Sequence, residues 1–465
     1  MDLVYKYVTS YSAQMTQIAS KTVIVIGAGM AGLAAAYVLQ KAGLSVIVLE
    51  RSAHIGGRVH AENVEGHNID TGAQFITNFY PNTQQLIREV GLGGMLSPLP
   101  RRAAILRAGH LHVLHPDLRS VTTDLISLHS KLKLIKVLGP LIRYWRSLDF
   151  HAMWKALRAD TRSITDYARQ TWPDEVLDYL IEPPLSGFLY WTPETTSQAM
   201  LFVLLKASLG IRLLTLRDGM GQLAERLATT LNIHRNAEVI KILPDSAGKY
   251  SIQFRMQGEI KTLQSDGIVC AVPAFVVPEI LPELSTGARE FFKNITYSRN
   301  VVTAIGLRKR LPAEVYGLLF PRAESKYLAL AAVESAKGFN ENQFPRDLLM
   351  LYASGPGAQE LLLQPDISVR NLLVQDLRLV GSRYQWNADE ELFYRVFRWP
   401  QALPVFNTGY LVRLKQFAER RIESGALVFA GDYIGGPFIE GAITSGIQSA
   451  ERLIRHFRMK TIPNA

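Results

Sequence analysis

The chain carries a single cysteine, Cys270, in 465 residues. An internal disulfide framework is therefore excluded, as is a multi-cysteine zinc or iron–sulfur site. One thiol fits a reducing compartment. No apolar run of 18 residues lacks charge, so no transmembrane helix is expected. Residues 1–20 lack the basic start and apolar centre of a secretory signal and are read as a loosely ordered leader. Their scarcity of acids leaves an organelle-targeting role as the alternative to a cytoplasmic protein. The histidines show no metal-ligand spacing, so no metal site is assigned. There is no fixed-period repeat and no low-complexity tract.

What is present is an ordinary globular balance of 48% hydrophobic and 20% charged residues. The length suits roughly three domain-sized units, or two larger ones. Lys plus Arg number 51 against 41 Asp plus Glu, a net charge of +10. That surplus favours an anionic partner: acidic lipid, a carboxylate or a dinucleotide. Nucleic acid is excluded as a partner because no recognised module is present and the charge is dispersed.

The first chemical signal begins at Lys21. Thr22-Val23-Ile24-Val25-Ile26 is a β-branched run suited to a strand buried on both faces of a parallel sheet. Gly27-Ala28-Gly29-Met30-Ala31-Gly32 follows, a G-x-G-x-x-G, then an Ala-rich helical stretch to Lys41 and a second apolar strand, Ser45 to Leu49, closed by Glu50. Gly27 permits the tight turn, Gly29 lets backbone approach a pyrophosphate, and Gly32 lets helix pack on sheet. The helix N-terminus offers free N–H groups to that anion. Glu50, 18 residues past Gly32, can accept hydrogen bonds from a ribose diol. This unit alone does not separate NAD from FAD. The extension does: Glu50-Arg51 leads into Gly56-Gly57-Arg58, whose glycines fold over a pyrophosphate while Arg58 donates to its oxygens. Asp70-Thr71-Gly72-Ala73-Gln74-Phe75 follows closely.

With these residues the sequence resembles the large family of flavin amine oxidases, protoporphyrinogen oxidases and carotenoid desaturases. The resemblance returns near the C-terminus in Ala426-Leu427-Val428-Phe429-Ala430-Gly431-Asp432, then Gly435-Gly436-Pro437 and Ile439-Glu440-Gly441-Ala442-Ile443. It implies that Gly431 and Asp432 hold a ribityl chain. It also implies that Glu440, Gly441 and Ala442 line the flavin ring, with a simple helix-start acid as the other reading of Glu440. In the middle, Asp218-Gly219-Met220-Gly221-Gln222-Leu223 and Asn236-Ala237-Glu238-Val239-Ile240 match as well, and Val239 takes the adenine contact. Asp266 to Pro273 looks like a strand returning toward the cofactor, with Cys270 a buried structural thiol in it.

The implied fold is α/β: a Rossmann-type FAD-binding domain, discontinuous at 21–78, 216–276 and 418–457, beside an α+β substrate domain of mixed sheet and helices at 79–215 and 277–417. Residues 79–215 read as mainly helical, and 458–465 as a tail. The implied cofactor is FAD. It would be held non-covalently, because no C-terminal cysteine is available for attachment, by Gly27, Gly29, Met30, Ala31, Gly32, Glu50, Arg51, Gly57, Arg58, Gly72, Ala73, Gln74, Phe75, Val239, Gly431, Asp432, Glu440, Gly441 and Ala442. Ser354-Gly355-Pro356-Gly357 is read as a turn, since Pro356 lacks an N–H. His54, His60 and His67, near the nucleotide loop, are read as surface or structural.

For the substrate pocket, Arg398-Trp399-Pro400-Gln401-Ala402-Leu403-Pro404 resembles the R-W-x-x-A-x-P segment of protoporphyrinogen oxidases. Trp399 is placed near the ring face. Arg398 pairs with a substrate carboxylate or with a protein acid. Ser163 to Ala168 and Glu182 to Gly187 are similar to the same family's helical region. The lysine that many amine oxidases carry in the strand here reading Arg299 to Leu307 is missing, and no general base is assigned. The resulting expectation is dehydrogenation of a largely apolar or cyclic substrate by hydride transfer to flavin, with electrons passed to O2 or another acceptor. Alternatives are an amine or amino-acid oxidase, a catalytically silent flavin-binding module, and a non-flavin NAD-binding protein. Finally, residues 130–146 hold five basic residues and no acid. Leu134, Leu138, Leu141 and Trp145 form a helical stripe there, which suits peripheral membrane contact, with a solvated helix as the other reading.

Overall fold

A computed structural model describes residues 20–65, 67–100, 102–114, 123–246, 248–338, 347–420 and 425–460. The expected leader lies outside the described residues except for Ser20, as does the end of the tail.

The apolar run Thr22–Ile26 forms the centre of a five-stranded, all-parallel sheet. Its spatial order is Ile233–His234, Ser45–Leu49, Thr22–Ile26, Gly267–Cys270 and Leu427–Phe429. The sheet is thus assembled from three distant stretches of chain. Alternate side chains of its central strand enter two different cores. Val23 and Val25 pack with the helices Met30–Lys41 and Ile439–Lys460. Ile24 and Ile26 pack with Ile242, Ile252 and Phe254 of an antiparallel three-stranded sheet, Glu238–Pro244, Tyr250–Met256 and Glu259–Ser265. Cys270 is fully buried in the returning strand, and burial pushes its thiol up to about 12.

A seven-stranded sheet builds the second lobe in the order Glu391–Trp399, Asn300–Leu307, Asp347–Ser354, Leu328–Val333, Gly317–Leu319, Ala103–Arg107 and His110–Leu114. Every pairing is antiparallel except that of Gly317–Leu319 with Ala103–Arg107. With a side-chain period of two, one face carries Val301, Leu351 and Ala353 against the helix Asp366–Leu377. The opposite face looks into the interior of the molecule and carries the site described below.

Three elements differ from expectation. The helix Pro81–Glu89 lies beyond residue 78, yet Leu86 and Ile87 pack in the core of the parallel sheet. Pro356 stands in the first turn of a helix, Gly355–Leu361, where its missing N–H is tolerated. In 130–146 the stripe named from sequence divides. Leu134 and Leu141 pack on the core, while Leu132, Ile135, Leu138, Ile142 and Trp145 are 67%, 68%, 49%, 74% and 44% exposed. The segment is three short pieces, Leu128–Lys133, Leu134–Val137 and Leu138–Tyr144, and the 3₁₀ turn in the middle rotates the exposed face. No described helix is long and apolar enough to cross a membrane.

The helix Ile439–Lys460 crosses the helix Met30–Lys41 at Gly446, where an added Cβ would lie 2.2 Å from the Ala31 carbonyl oxygen. Gly446→Ala is expected to destabilise the protein by about 2–3 kcal/mol through overpacking. Gly139→Ala, in the helix Leu138–Tyr144 with nothing within 4 Å, serves as the control and should leave stability unchanged or raise it by up to about 1 kcal/mol. Urea unfolding of the two variants checks both values.

Candidate functional site

The three motif glycines are separated by what surrounds them. Gly27 has φ +98° and a Cβ there would meet the Ala271 carbonyl oxygen at 2.8 Å. A Cβ on Gly32 would fall 1.9 Å from the Gly27 oxygen, so this glycine seats helix on strand. At Gly29 nothing lies within 4 Å. That open side faces a cavity, and the helix beginning after Gly29 has no side-chain cap and no acid in its first turn. Its first N–H groups are therefore presented to an anion. Glu50 ties the turn together, accepting from Ala28 N at 2.7 Å and Ser52 N at 2.8 Å. A carboxylate keeps further lone pairs for a diol after two such bonds.

Gly56, with φ +90°, donates its N–H to Ala28 O, laying the 56–58 loop beside the first turn. Arg58 then reaches across the molecule. Its guanidinium makes a bidentate pair with Asp432 at 2.6 and 3.0 Å and donates to Ala402 O at 2.7 Å. Burial works against the guanidinium charge, but the attraction of Asp432 outweighs it and holds the Arg58 pKa above its ordinary value. Ala73 N donates to Arg58 O, and a Cβ at Gly72 would lie 2.2 Å from that same oxygen, so 70–75 stack against the loop. Asp70 is buried beneath them and caps the helix Gly221–Ala228 by accepting from Met220 N and Gly221 N. Burial pushes its carboxyl up to about 6, with Lys337 opposing.

One cavity of about 1440 Å³ joins these parts. It exceeds the roughly 300–1,000 Å³ of an ordinary small-ligand site. Gly27, Gly29, Met30, Ala31, Glu50, Arg51, Gly57, Arg58, Gly72, Ala73, Gln74, Phe75, Val239, Gly431, Asp432 and Ala442 line it, as do Arg398 and Trp399. Gly32, Glu440 and Gly441 do not. Glu440 is 1% exposed and accepts from Asn82 N, Thr83 N and the Thr83 hydroxyl, capping the helix Pro81–Glu89 instead of facing a ring. A Cβ at Gly441 would lie 2.2 Å from Gly436 O, so its role is close packing. Arg398 pairs with the protein acid Asp366 at 2.7 Å and donates to Gln364 O. The Trp399 indole donates to Thr71 O at 2.8 Å, fixing the ring at the cavity wall.

Sequence reasoning missed the inner end. There the cavity is walled by Leu201, Leu204 and Leu205 of the helix Gln198–Ser208, by Phe188, and by the interior face of the seven-stranded sheet. Tyr190, Tyr316 and Tyr352 also line it, and burial raises the pKa of all three. They are protonated hydrogen-bond donors at neutral pH. Tyr190 ends the helix Glu182–Leu189 with φ +57°, an unusual conformation for a non-glycine residue that aims its ring inward. His54 and His60 line the cavity near the nucleotide turn, and burial, then His54, lowers the His60 pKa. The side chain of His67 lies outside the described residues.

An open backbone at Gly29, an uncapped helix start, a carboxylate at Glu50 and a long cavity together fit a dinucleotide with room for a second molecule. The family described as flavin containing amine oxidoreductase matches residues 30–454. Protoporphyrinogen oxidase 2 of Arabidopsis thaliana is 22% identical, over 95% of this chain and 96% of that protein. Coproporphyrinogen III oxidase of Bacillus subtilis is 22% identical, over 90% and 94%. The solved structure of cyclohexylamine oxidase from Brevibacterium oxydans shares the fold with a TM-score of 0.72 and 19% identity, covering 94% of this chain and 99% of that one.

Two predictions follow from this geometry. A double-mutant cycle on Arg58→Met and Asp432→Leu is expected to show a coupling of about 1–3 kcal/mol, read by chemical unfolding. Asp70 titrates near 6 when folded and near 3.9 unfolded, so the folded chain holds a proton that the unfolded chain releases between those values. Its contribution is fully present below about pH 4 and is lost as pH rises through about 6, by up to about 3 kcal/mol. In Asp70→Asn that part of the pH dependence should vanish, as unfolding curves from pH 4 to 7 would show.

Proposed function

The chain belongs to the flavin-containing amine oxidoreductases, and from that premise we propose that it holds FAD non-covalently and dehydrogenates a largely apolar, cyclic, uncharged substrate. Bound flavin supplies a hydride acceptor at N5. The chain's own residues do the rest. The helix start at Gly29 receives the pyrophosphate, Glu50 the ribose and Val239 the adenine. Arg58 fixes Asp432, which receives the ribityl chain. Trp399 and Ala442 border the reacting region, and the Leu201, Leu204 and Leu205 wall excludes water. Electrons leave to O2 or another acceptor.

One observation carries the choice of substrate class. Among the described lining residues the carboxylates are Glu50, Glu62, Glu238, Glu279 and Asp432. All belong to the nucleotide side or its border, and the inner sheet face and its helices contribute none. An ammonium substrate would meet no lining carboxylate there, and Glu334, behind the Tyr316 hydroxyl, is already paired with Lys337 at 2.6 Å. The porphyrinogen oxidases among the relatives support a cyclic substrate. The amine named for the solved neighbour supports an amine as the second reading.

Residues 130–146, with their exposed apolar face, pack beside the helix Gln198–Ser208, whose other side walls this chamber. Lys136, Arg143 and Arg146 flank that face in exposed positions, and the Lys206 ammonium donates to Trp145 O and Leu148 O. Lys206 belongs to the same helix that walls the cavity, and exposed Ser208 reaches the cavity lining. Cationic charge around exposed leucine, isoleucine and tryptophan complements an acidic lipid surface. We assign that face to peripheral membrane contact at the cavity rim.

Anaerobic mixing tests the substrate class: a reduced porphyrin or polyene should bleach the flavin absorbance, whereas amines should not. Peroxide released with amines alone would reverse the two readings, and a flavin that nothing bleaches would mark a silent binding module. Cosedimentation with vesicles tests the surface. Binding to phosphatidylserine-containing vesicles should drop at least about tenfold in the variant Leu132→Glu, Ile135→Glu, Ile142→Glu, with flavin content unchanged.

A further inference from the structure

Two polar side chains on the interior face of the seven-stranded sheet are left without partners. Asn300 and Tyr352 are each 1% exposed and both line the cavity. Neither the amide nitrogen nor the amide oxygen of Asn300, nor the Tyr352 hydroxyl, has a hydrogen-bond partner among the described residues. Buried polar groups are almost always paired, and an unpaired amide in apolar surroundings is unfavourable. Both residues sit in strongly apolar strands, NVVTAIGL and DLLMLYAS, whose one other polar residue away from the ends, Thr303, points to the opposite face with Leu351.

The register places them together. Asn300 lies opposite Ser354, and Val302 lies opposite Tyr352, so Asn300 and Tyr352 are diagonal neighbours on one face. Such positions stand about 7–8 Å apart, within reach of one ligand. Asn300 is also paired with Trp399 across the other edge of its strand. The Trp399 indole is already engaged at Thr71 O, close to the Arg58–Asp432 clasp. From Trp399 the sheet runs through Asn300 to Tyr352 and on to Leu330. Asn300 stands two residues along the chain from Ser298, whose carbonyl oxygen accepts from Ala402 N beside the Arg58 clasp, and Tyr352 stands one strand further across the sheet toward Leu330.

We propose that Asn300 and Tyr352 form a two-point polar anchor that selects an uncharged cyclic ligand bearing an N–H donor beside a hydrogen-bond acceptor. The inference rests on reading the inner chamber as the substrate site. A primary amide presents an acceptor and a donor in one plane, the complement of a ring N–H next to a carbonyl or ring acceptor. The phenol adds one more donor. Neither group carries charge, so the pair rewards hydrogen-bond pattern and not ionic attraction. A site built to pair such groups rejects an analogue that cannot pair them.

Calorimetric titration of the flavin-loaded protein tests this with phenanthridinone, a flat tricyclic lactam, and its N-methyl derivative. The wild-type protein should bind the lactam about tenfold more tightly than the N-methyl compound. In Asn300→Leu the lactam should weaken and the preference should shrink to less than about twofold. In Tyr352→Phe, which removes only the hydroxyl, lactam affinity should fall about threefold with the preference retained. Unfolding temperatures of both variants should equal or exceed the wild-type value, because no hydrogen bond within the protein is lost. Failure of the lactam to bind, equal binding of the two probes to wild type, or a preference that survives in Asn300→Leu would overturn the proposal. So would a displaced flavin absorbance in Asn300→Leu with the preference intact, which would assign the amide to the cofactor. Binding is read without turnover, so a protein whose flavin no substrate bleaches could still pass this test. In that event the dehydrogenase reading fails and the anchor stands.

Discussion

The pairing of Arg58 with Asp432 is the constraint on which the rest depends. It joins residues 374 positions apart, and the same guanidinium holds Ala402 O in the second lobe. A loop from the first quarter, the end of the last parallel strand and the approach to the chamber thus meet at one cation. The ends of the chain are brought together by the sheet, but hydrophobic strand packing fixes no azimuth between loops. The bidentate geometry of an arginine–carboxylate pair does. Together with the bond from Trp399 to Thr71 O, it sets how the two halves of the cavity face each other.

The two sheets divide the labour by the same device. In the five-stranded sheet the central strand serves two apolar cores, and polar groups are confined to the strand ends. In the seven-stranded sheet one face is closed by the helix Asp366–Leu377 and the other is the floor of a chamber. Period-two alternation lets a strand such as Asn300–Leu307 support the lobe with Val301 and present Asn300 to a ligand. Stability and recognition therefore occupy opposite faces of one backbone and can vary independently.

How much of this was legible in the sequence follows from how local each requirement is. Gly27, Gly29 and Gly32 were readable because each answers a demand made by neighbouring backbone. The strand–turn–helix–strand unit and Glu50 were readable for the same reason. Glu440 stayed open between the ring and a helix-start acid; it stands in the first turn of Ile439–Lys460, and its partners Asn82 and Thr83 lie some 350 residues away, where nothing in the order of residues announces them. Arg398 stayed ambiguous because Asp366 comes from another element. The stripe in 130–146 was mis-phased because a 3₁₀ turn, Leu134–Val137, intervenes between two short helices. Asn300 carries a signal in the sequence, a polar residue heading an eight-residue apolar-rich strand that is buried throughout. Tyr352 could be recognised only once register set it beside Asn300.

Lys206 has a consequence of a mechanical kind. Its ammonium grips two carbonyl oxygens, those of Trp145 and Leu148, and lies 4.7 Å from the centre of the Trp145 ring. It stands on the helix whose other side forms the chamber wall. An outer stretch and an inner wall are thus riveted at one point. A force that tilted the outer stretch would be delivered to the wall at that point as torque.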